Sequence, residues 1–378
     1  MSDFKQVKPG LAAPLTTLNI VVAGTGKVGA EFLRLLVSQQ QRFAGQIRLN
    51  LCGILNSRLA LLSDTIESQA WSSAFSDAKP YQQASLVAYL AALPSPKVLI
   101  DITPSQDFAR LYPAFIAAGC HLISANKQGV TLPGAEYQQI LQALVHSGLR
   151  WLSNTTVGAG IPVQRVMQEL LQSGDQIREV SGVFSGTLSW LLCQYDGTTA
   201  FSELVLQAQQ LGYTEPDPRD DLSGKDVQRK LLVLARELGA ELELADIELE
   251  PLLPAGLADG DLAGFWQQRQ HLDLMLAEAY AKANAENKVL RYAASLRLAG
   301  GQVQAGVRLV AVDNKAPLAA LAPCDNIFVI TSDWYQQNPL VLKGPGAGLL
   351  VTAGGLHADL AELVKSVRLN AGMTWQLS

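Results

Sequence analysis

Leu18-Asn19-Ile20-Val21-Val22-Ala23-Gly24-Thr25-Gly26-Lys27-Val28-Gly29 is the stretch on which the fold turns. A short apolar, largely β-branched run breaks into Gly-x-Gly-x-x-Gly, and Phe32, Leu35 and Leu36 then recur at helical spacing. This order predicts a strand, a glycine turn and a helix. Glycines in such a turn let the backbone bend tightly and approach a diphosphate, while the first amides of the helix attract its charge. A glycine turn without a ligand is the plain alternative, but the strand before it and the helix after it favour a dinucleotide. Gly24, Thr25, Gly26, Lys27, Val28 and Gly29 are therefore candidate cofactor contacts.

Working outward, a second strand is expected over Ile47 to Leu55, ending in Asn56-Ser57-Arg58, and a third over Val98 to Ile102, running into Thr103-Pro104-Ser105. A helix then leads to a fourth, His121 to Ser124. Strands alternating with helices predict a parallel, doubly wound sheet whose ligand lies beyond the carboxyl ends of the strands. The end of the second strand reports on the cofactor, because an acidic residue there would bond a ribose 2′-hydroxyl and repel a 2′-phosphate. Asn56, Ser57 and Arg58 are neutral or basic, which favours NADP(H) and leaves NAD(H) possible. A merely solvated Arg58 is the alternative.

Beyond Trp151 the pattern becomes mainly helical, from Val163 to about Asn287, interrupted by Ser181 to Ser189 and the proline-rich Glu215 to Asp220. From Val289 it turns strand-like, with Gly300-Gly301 as a turn between Leu290–Leu298 and Val303–Val312, then Ile327–Trp334 and Leu340–Leu342. An antiparallel meander is expected. The final Gly344-Pro345-Gly346-Ala347-Gly348 and an apolar helix after it have no expected strand partner and should pack back on the first domain.

Composition narrows the functions. The 378 residues are 48% hydrophobic and 17% charged, with 29 basic and 34 acidic side chains and a formal net charge of -5. That describes a globular chain of roughly two or three compact units. No basic stripe is present to neutralise a nucleic-acid backbone. No run is apolar enough for a signal peptide or a membrane span, so no membrane partner is expected. Cys52, Cys120, Cys193 and Cys324 are widely spaced, and His121, His146, His271 and His357 are isolated, which argues against a disulfide framework or a histidine metal site and for a reducing cytoplasm.

Chemistry concentrates in Glu215-Pro216-Asp217-Pro218-Arg219-Asp220-Asp221-Leu222-Ser223-Gly224-Lys225-Asp226, which precedes Val227-Gln228-Arg229-Lys230. Ser223 and Asp226 have capping-box spacing, so a helix is expected to start at Ser223. Asp226 and Lys230 are then neighbours one turn apart, beside the apolar stripe Val227, Leu231, Leu234, Leu238. A surface ion pair on an acidic loop is one reading. A half-buried pair that holds a substrate ammonium or moves a proton is the other. Asn126-Lys127, just past the fourth strand, places a lysine on the cofactor side of the sheet. Asn154 to Pro162 (NTTVGAGIP) is a second small-residue turn, which read alone is equally an interdomain connection.

NTTVGAGIP at Asn154–Pro162, FSGTLS at Phe184–Ser189 and GYTEPDPRDDLSGKDVQRK at Gly212–Lys230 make the chain resemble homoserine dehydrogenase from Leu18 onward, most of all the dehydrogenase half of bifunctional aspartokinase/homoserine dehydrogenases. The resemblance implies an α/β chain: a Rossmann-type nucleotide-binding domain with an α+β catalytic and dimerisation region. It places the nucleotide domain at 18–150 and 344–378, a dimerisation sheet at 151–165 and 289–343, and a helical catalytic region at 166–288. It implies a homodimer that interconverts L-homoserine and L-aspartate 4-semialdehyde with NAD(P), serving threonine, methionine and isoleucine synthesis. Glu215 and Asp226 would bind homoserine, with Asp221, Tyr213, Gly186 and Thr187 near it. Lys127 and Lys230 would be the proton-transfer residues. Thr103, Ser105, Lys127 and Gly346 would add cofactor contacts. Main-chain oxygens of Asn154, Val157, Ala159 and Ile161 would hold a monovalent cation, Na+ or K+, although Asn154 stands where relatives often carry an acidic residue. No aspartokinase domain is expected before Leu18 and no regulatory module after the last helix, so feedback by threonine within this chain is not expected.

Two rivals remain at this point. An acyl-enzyme aldehyde dehydrogenase needs a cysteine nucleophile beside a base, and none of the four cysteines has that setting. A catalytically inactive NADP-binding protein of the same fold would bind the cofactor and leave homoserine untouched.

Overall fold

The computed structural model describes residues 15–370. Most of the stretch before Leu18, and the end of the expected 344–378 segment, lie outside the described residues. Among the described residues, the first sheet contains β1 (Thr17–Ala23), β2 (Arg48–Leu55), β3 (Leu59–Leu62), β4 (Lys79–Pro80), β5 (Lys97–Asp101), β6 (Cys120–Ser124) and β7 (Trp151–Leu152), in the order β4-β3-β2-β1-β5-β6-β7. β2, β1, β5, β6 and β7 are parallel. The chain leaves β1 on one side toward β2 and returns on the other to β5, so the loops diverge beside β1 and open a crevice there.

One edge departs from the doubly wound expectation: β3 runs antiparallel to β2, and β4 antiparallel to β3. The Asn56 side chain accepts the Arg58 and Leu59 amides at 2.9 and 2.8 Å, and this local turn reverses the chain at once.

The glycine turn shows which glycines the fold requires. Gly24 has φ +110°, and a Cβ there would lie 2.7 Å from the Ile102 carbonyl oxygen. A Cβ on Gly29 would lie 1.8 Å from the Gly24 carbonyl oxygen, so only glycine lets the helix Lys27–Arg42 sit so close to β1. Gly26 has nothing within 4 Å of that position. Phe32, Leu33 and Leu36 of the helix pack with Leu18 and Ile20 of β1, and Leu356, Leu360 and Leu363 of the C-terminal helix Leu349–Asn370 complete the cluster. Each of these side chains is fully buried, which contributes about 1.5–3 kcal/mol apiece. The C-terminal helix thus packs back on the first domain, as expected.

The second sheet contains β8 (Ile177–Val183), β9 (Glu248–Leu249), β10 (Lys288–Ala299), β11 (Gln302–Asp313), β12 (Asp325–Ser332) and β13 (Leu340–Pro345), in the order β13-β12-β8-β10-β11-β9. It is not a simple meander, because β8 lies between β10 and β12 and pairs antiparallel with both. β8 falls inside the span expected to be helical. Its Arg178, Glu179 and Ser181 interrupt the apolar run, while Gly182 permits an approach so close that a Cβ would lie 2.0 Å from the Ile327 carbonyl oxygen. Two further boundaries move. Trp151–Leu152 pairs with β6 in the first sheet, and Gly344 and Pro345 pair with Asn326 and Asp325 rather than standing apart.

Helices Val163–Gln172, Gly186–Gln194, Phe201–Gln210, Lys225–Glu237 and Gln270–Ala285 share one apolar core with one face of this sheet. Among the described residues no helix is long and apolar enough to cross a membrane.

Candidate functional site

Four loops line up along the carboxyl edge of the first sheet. The Gly24 amide donates to the Leu55 carbonyl at 2.8 Å, the Ile102 amide to the Ala23 carbonyl at 2.7 Å and the Ala125 amide to the Asp101 carbonyl at 2.9 Å. These bonds set the glycine turn beside Asn56-Ser57-Arg58 on one side and beside Thr103–Ser105 and Asn126–Lys127 on the other. The helix Lys27–Arg42 begins at Gly26 without a side-chain cap and without an acidic residue in its first turn. Its leading amides are left for an anion, and open space above Gly26 admits one. Ser57 and Arg58 are exposed at the β2 end. These features fit a dinucleotide with its diphosphate on the helix and its ribose toward Arg58.

Asp101, which the sequence reading had not singled out, organises the next loops. It is buried at the end of β5 and accepts bonds from Tyr112 Oη at 2.7 Å, Asn126 Nδ2 at 2.9 Å and the Thr103 amide at 2.8 Å. Burial pushes its carboxyl above the usual range, against these three donors. Asn126 also donates to the Ser105 carbonyl at 2.9 Å and caps the turn Lys127–Gly129. Thr103, Ser105 and Lys127 are thereby fixed to one another. An acidic residue closing a buried apolar strand was the signal available in the sequence.

Lys127 meets the second domain directly. Its Nζ donates to Asp226 Oδ1 at 3.0 Å, while Lys230 Nζ lies 2.9 Å from Asp226 Oδ2. One carboxylate therefore bridges two ammonium groups. Lys127 and Lys230 side chains are 29% and 14% exposed and that of Asp226 is 47% exposed, so the carboxylate is the part of the bridge most open to solvent. Burial would raise the Asp226 carboxyl, but the charges of Lys230 and Lys127 outweigh it and hold the group well below the usual carboxylate range. Lys230 also donates to the Phe184 carbonyl at 2.7 Å.

The expected capping box is absent. The helix starts at Lys225, after Gly224 with φ +71°, and Ser223 terminates the preceding helix Pro218–Leu222. A Cβ on Gly224 would strike Tyr292 Oη, so the backbone turns there and frees the Asp226 carboxylate for the two lysines instead of an amide.

The other substrate candidates form an adjacent cluster. Asp221 Oδ2 accepts the Glu215 amide at 2.8 Å, and Thr187 Oγ1 lies 3.0 Å from Asp221 Oδ1 and 2.5 Å from the Tyr213 carbonyl. Burial raises the Asp221 carboxyl, opposed by these contacts. Asp217 is taken by Arg219, and Asp220 is exposed, so neither acid joins the cluster. The Glu215 side chain is left exposed at the rim. Gly186 opens the helix that carries Thr187.

Arg236, also missed from sequence, ties the two lysine-bearing elements together. Its buried guanidinium donates at 2.6 Å to both the Val130 and Leu132 carbonyls, just beyond Lys127, from the far end of the helix that bears Asp226 and Lys230. A cleft of about 360 Å³ opens beside that far end, lined by Arg165, Glu237 and Asp359 among others, but it contains none of the bridge residues.

The implied cation site lies in the loop Asn154–Ile161. The Ile161 carbonyl accepts the Val163 amide at 2.8 Å and faces Asn154 Nδ2 at 3.5 Å, while Asn154 Oδ1 accepts the Arg165 amide at 3.4 Å. Val157 and Ala159 are buried in the same loop, and no chemical step is assigned to a cation.

Comparison with known proteins agrees with this layout. The family model described as homoserine dehydrogenase matches residues 162–361, and the model described as homoserine dehydrogenase, NAD binding domain, matches 24–154. Homoserine dehydrogenase of Schizosaccharomyces pombe is 33% identical, over 95% of this chain and 98% of that protein. Bifunctional aspartokinase/homoserine dehydrogenase 2 of Escherichia coli is 42% identical over 92% of this chain, which spans 43% of that protein's length. A Candida auris protein of unknown function has a similar structure, with a TM-score of 0.85 and 28% identity over 92% of this chain and 98% of that one. A hyperthermophilic archaeal homoserine dehydrogenase solved with NADPH shares the fold, with a TM-score of 0.71, 20% identity and coverage of 93% and 98%. By the family models and the full-length yeast relative, this chain belongs to the homoserine dehydrogenase family.

Proposed function

We propose that this protein interconverts L-homoserine and L-aspartate 4-semialdehyde with NADP(H) as the preferred cofactor and NAD(H) as a poorer one. The observation that carries the proposal is the Lys127–Asp226–Lys230 bridge, which brings a residue of the nucleotide domain and a residue of the helical region to one carboxylate. When bound, the cofactor supplies the hydride acceptor at its nicotinamide ring.

The chain's own residues bind the substrate and manage the proton. Glu215 at the rim attracts the homoserine ammonium, while Asp221, Thr187, Tyr213 and Gly186 shape the adjoining wall. The substrate hydroxyl lies between the two lysine side chains, where one lysine, having first released its own proton to solvent, takes the hydroxyl proton as the carbon loses hydride to the bound cofactor. In the reverse direction an ammonium returns that proton to the developing alkoxide, and the second ammonium stabilises the charge. Asp226 fixes both lysines and accompanies their charge. The support for NADP(H) is the absence of an acidic group at Asn56-Ser57-Arg58.

We also propose a homodimer formed through the second sheet, a cytoplasmic location consistent with the four free cysteines, and a role in threonine, methionine and isoleucine synthesis. Domain limits follow the sheets, with 177–183 assigned to the dimerisation sheet and 151–152 to the nucleotide domain. The test is NADPH formation, read by its near-ultraviolet absorbance, with L-homoserine or with 4-hydroxybutyrate, which lacks the ammonium. Turnover with homoserine alone supports the reading, and NADPH binding without turnover leaves an inactive binding protein.

A further inference from the structure

The cleft of about 360 Å³ beside the far end of the helix Lys225–Glu237 holds a carboxylate without a countercharge. Glu237, partly exposed in its wall, accepts Gln164 Nε2 at 3.2 Å and a bond from Gln168 Nε2, both neutral amides. Among the described residues it has no ion-pair partner, because the neighbouring arginines are engaged elsewhere: Arg165 with Asp359 at 3.1 Å, Arg150 with Glu362 at 3.5 Å and Arg236 with the Val130 and Leu132 carbonyls. Glu237 is also the last residue of its helix, where the carbonyl ends add partial negative charge. The charge left free in the cleft is therefore negative.

Asp359 is an independent sign of a missing partner. It is 1% exposed, lines the same cleft, and its Oδ2 has no hydrogen-bond partner, a state that few buried polar atoms in native proteins retain. Burial raises the Glu237 carboxyl against its two amide donors and pushes that of Asp359 up to about 7 against Arg165. Both acids are short of positive charge. The cleft is open to solvent, since Gln168, Glu169 and Gln172 are exposed along it.

We propose that this cleft binds a small organic cation, an alkylguanidinium, with its N–H groups on Glu237 and toward Asp359 and its alkyl stem on the apolar wall. A planar guanidinium places two parallel N–H bonds on one carboxylate and keeps three more for a second acceptor. The stem is accounted for by Leu141 and Leu144 of the helix Gly134–Ser147 and by Trp151, which line the same space. A divalent metal is not the occupant, because among the described residues no three His, Cys, Asp or Glu side chains come together to hold one. The volume lies in the range of small-molecule pockets. The ligand would touch the nucleotide domain and the end of the helix whose other end carries Asp226 and Lys230.

The experiment is calorimetric titration of the whole protein with butylguanidinium, in potassium at large excess over the probe. Wild type should show saturable binding, and Glu237→Gln, which keeps the shape and removes the charge, should bind at least ~10-fold more weakly, as expected when a charged hydrogen-bonded contact is lost. Its melting temperature should stay level or rise, because a carboxylate without a countercharge has been removed. Absence of binding to wild type, or equal binding to the folded variant, overturns the proposal. If Glu237→Gln does not fold, Asp359→Asn, which keeps an oxygen for Arg165, should show the same weakening, and unchanged binding there overturns it as well. Glu215→Ala separates this cleft from the substrate site: it should bind the probe as wild type does, and loss of binding there would move the probe to the substrate site and overturn the assignment. Binding needs no turnover, so the outcome is independent of the proposed reaction.

Discussion

Lys127 and Asp226 are separated by 99 positions in the chain and meet at 3.0 Å. This contact joins the nucleotide domain to the helical region at the point where a cofactor and a small substrate must be brought together. Lys230 completes the bridge from one helical turn away. Because the two lysines share a partner but differ in support, they should respond differently to removal.

Lys230 is the less exposed of the two and is also held by the Phe184 carbonyl. Lys230→Ala should lower kcat by about 10²–10⁴-fold, the range for loss of a general acid or base, with NADPH affinity nearly unchanged. Lys127→Ala should lower kcat and weaken NADPH binding together, since its loop is fixed to the Thr103–Ser105 cofactor loop through Asn126. Steady-state kinetics and cofactor titration of both variants test this. Normal turnover in either removes that lysine from the mechanism.

The glycine turn separates folding from binding. Gly29→Ala places a methyl group into the Gly24 carbonyl, and should cost at least ~3 kcal/mol or prevent folding. Gly26→Ala meets no protein atom, so its melting temperature should stay within about 2 °C of wild type while NADPH affinity falls. Thermal unfolding and calorimetry distinguish the two, and equal behaviour would contradict the roles assigned.

Arg58→Asp should reverse cofactor preference. A carboxylate at the β2 end repels a 2′-phosphate and accepts a ribose hydroxyl, so the ratio of kcat/KM for NADP over NAD should fall by at least ~10-fold. An unaltered ratio would mean that Arg58 is only solvated.

The Asp226 carboxyl should remain ionised in acid. Its pKa is depressed in the folded state, so its contribution to stability is present above the unfolded value of about 3.9 and is lost as pH falls through the lower folded value. A carboxyl-carbon NMR titration should place its midpoint below that of an ordinary aspartate, and a midpoint at or above the ordinary value would show that the bridge does not persist in solution.

Much of this was legible in the sequence because it rests on local patterns. The run from Leu18 to Gly29 specifies strand, turn and helix through short-range sterics, and Asp226–Lys230 is a one-turn helical pair. What was not legible depends on distant partners. Strand β8 lacks a regular alternation, because Arg178, Glu179 and Ser181 break its apolar run, and only its neighbours β10 and β12 reveal it as central. Ser223 and Asp226 have the spacing of a capping box, but Tyr292 above Gly224 and the pull of Lys127 redirect the carboxylate. Asp101 and Arg236 take their roles in the site from groups at least eleven positions away; an acid closing an apolar strand hints at the first, and no local pattern marks the second.

In the proposed reaction the carboxylate bridge carries the chemistry. Rapid-mixing measurement of NADP reduction by L-homoserine in wild type and in Asp226→Asn tests it most directly, with both proteins saturated in cofactor and substrate. The first-turnover rate should be at least ~10²-fold slower in the variant, with unchanged NADPH affinity. Equal first-turnover rates in the two proteins would contradict it.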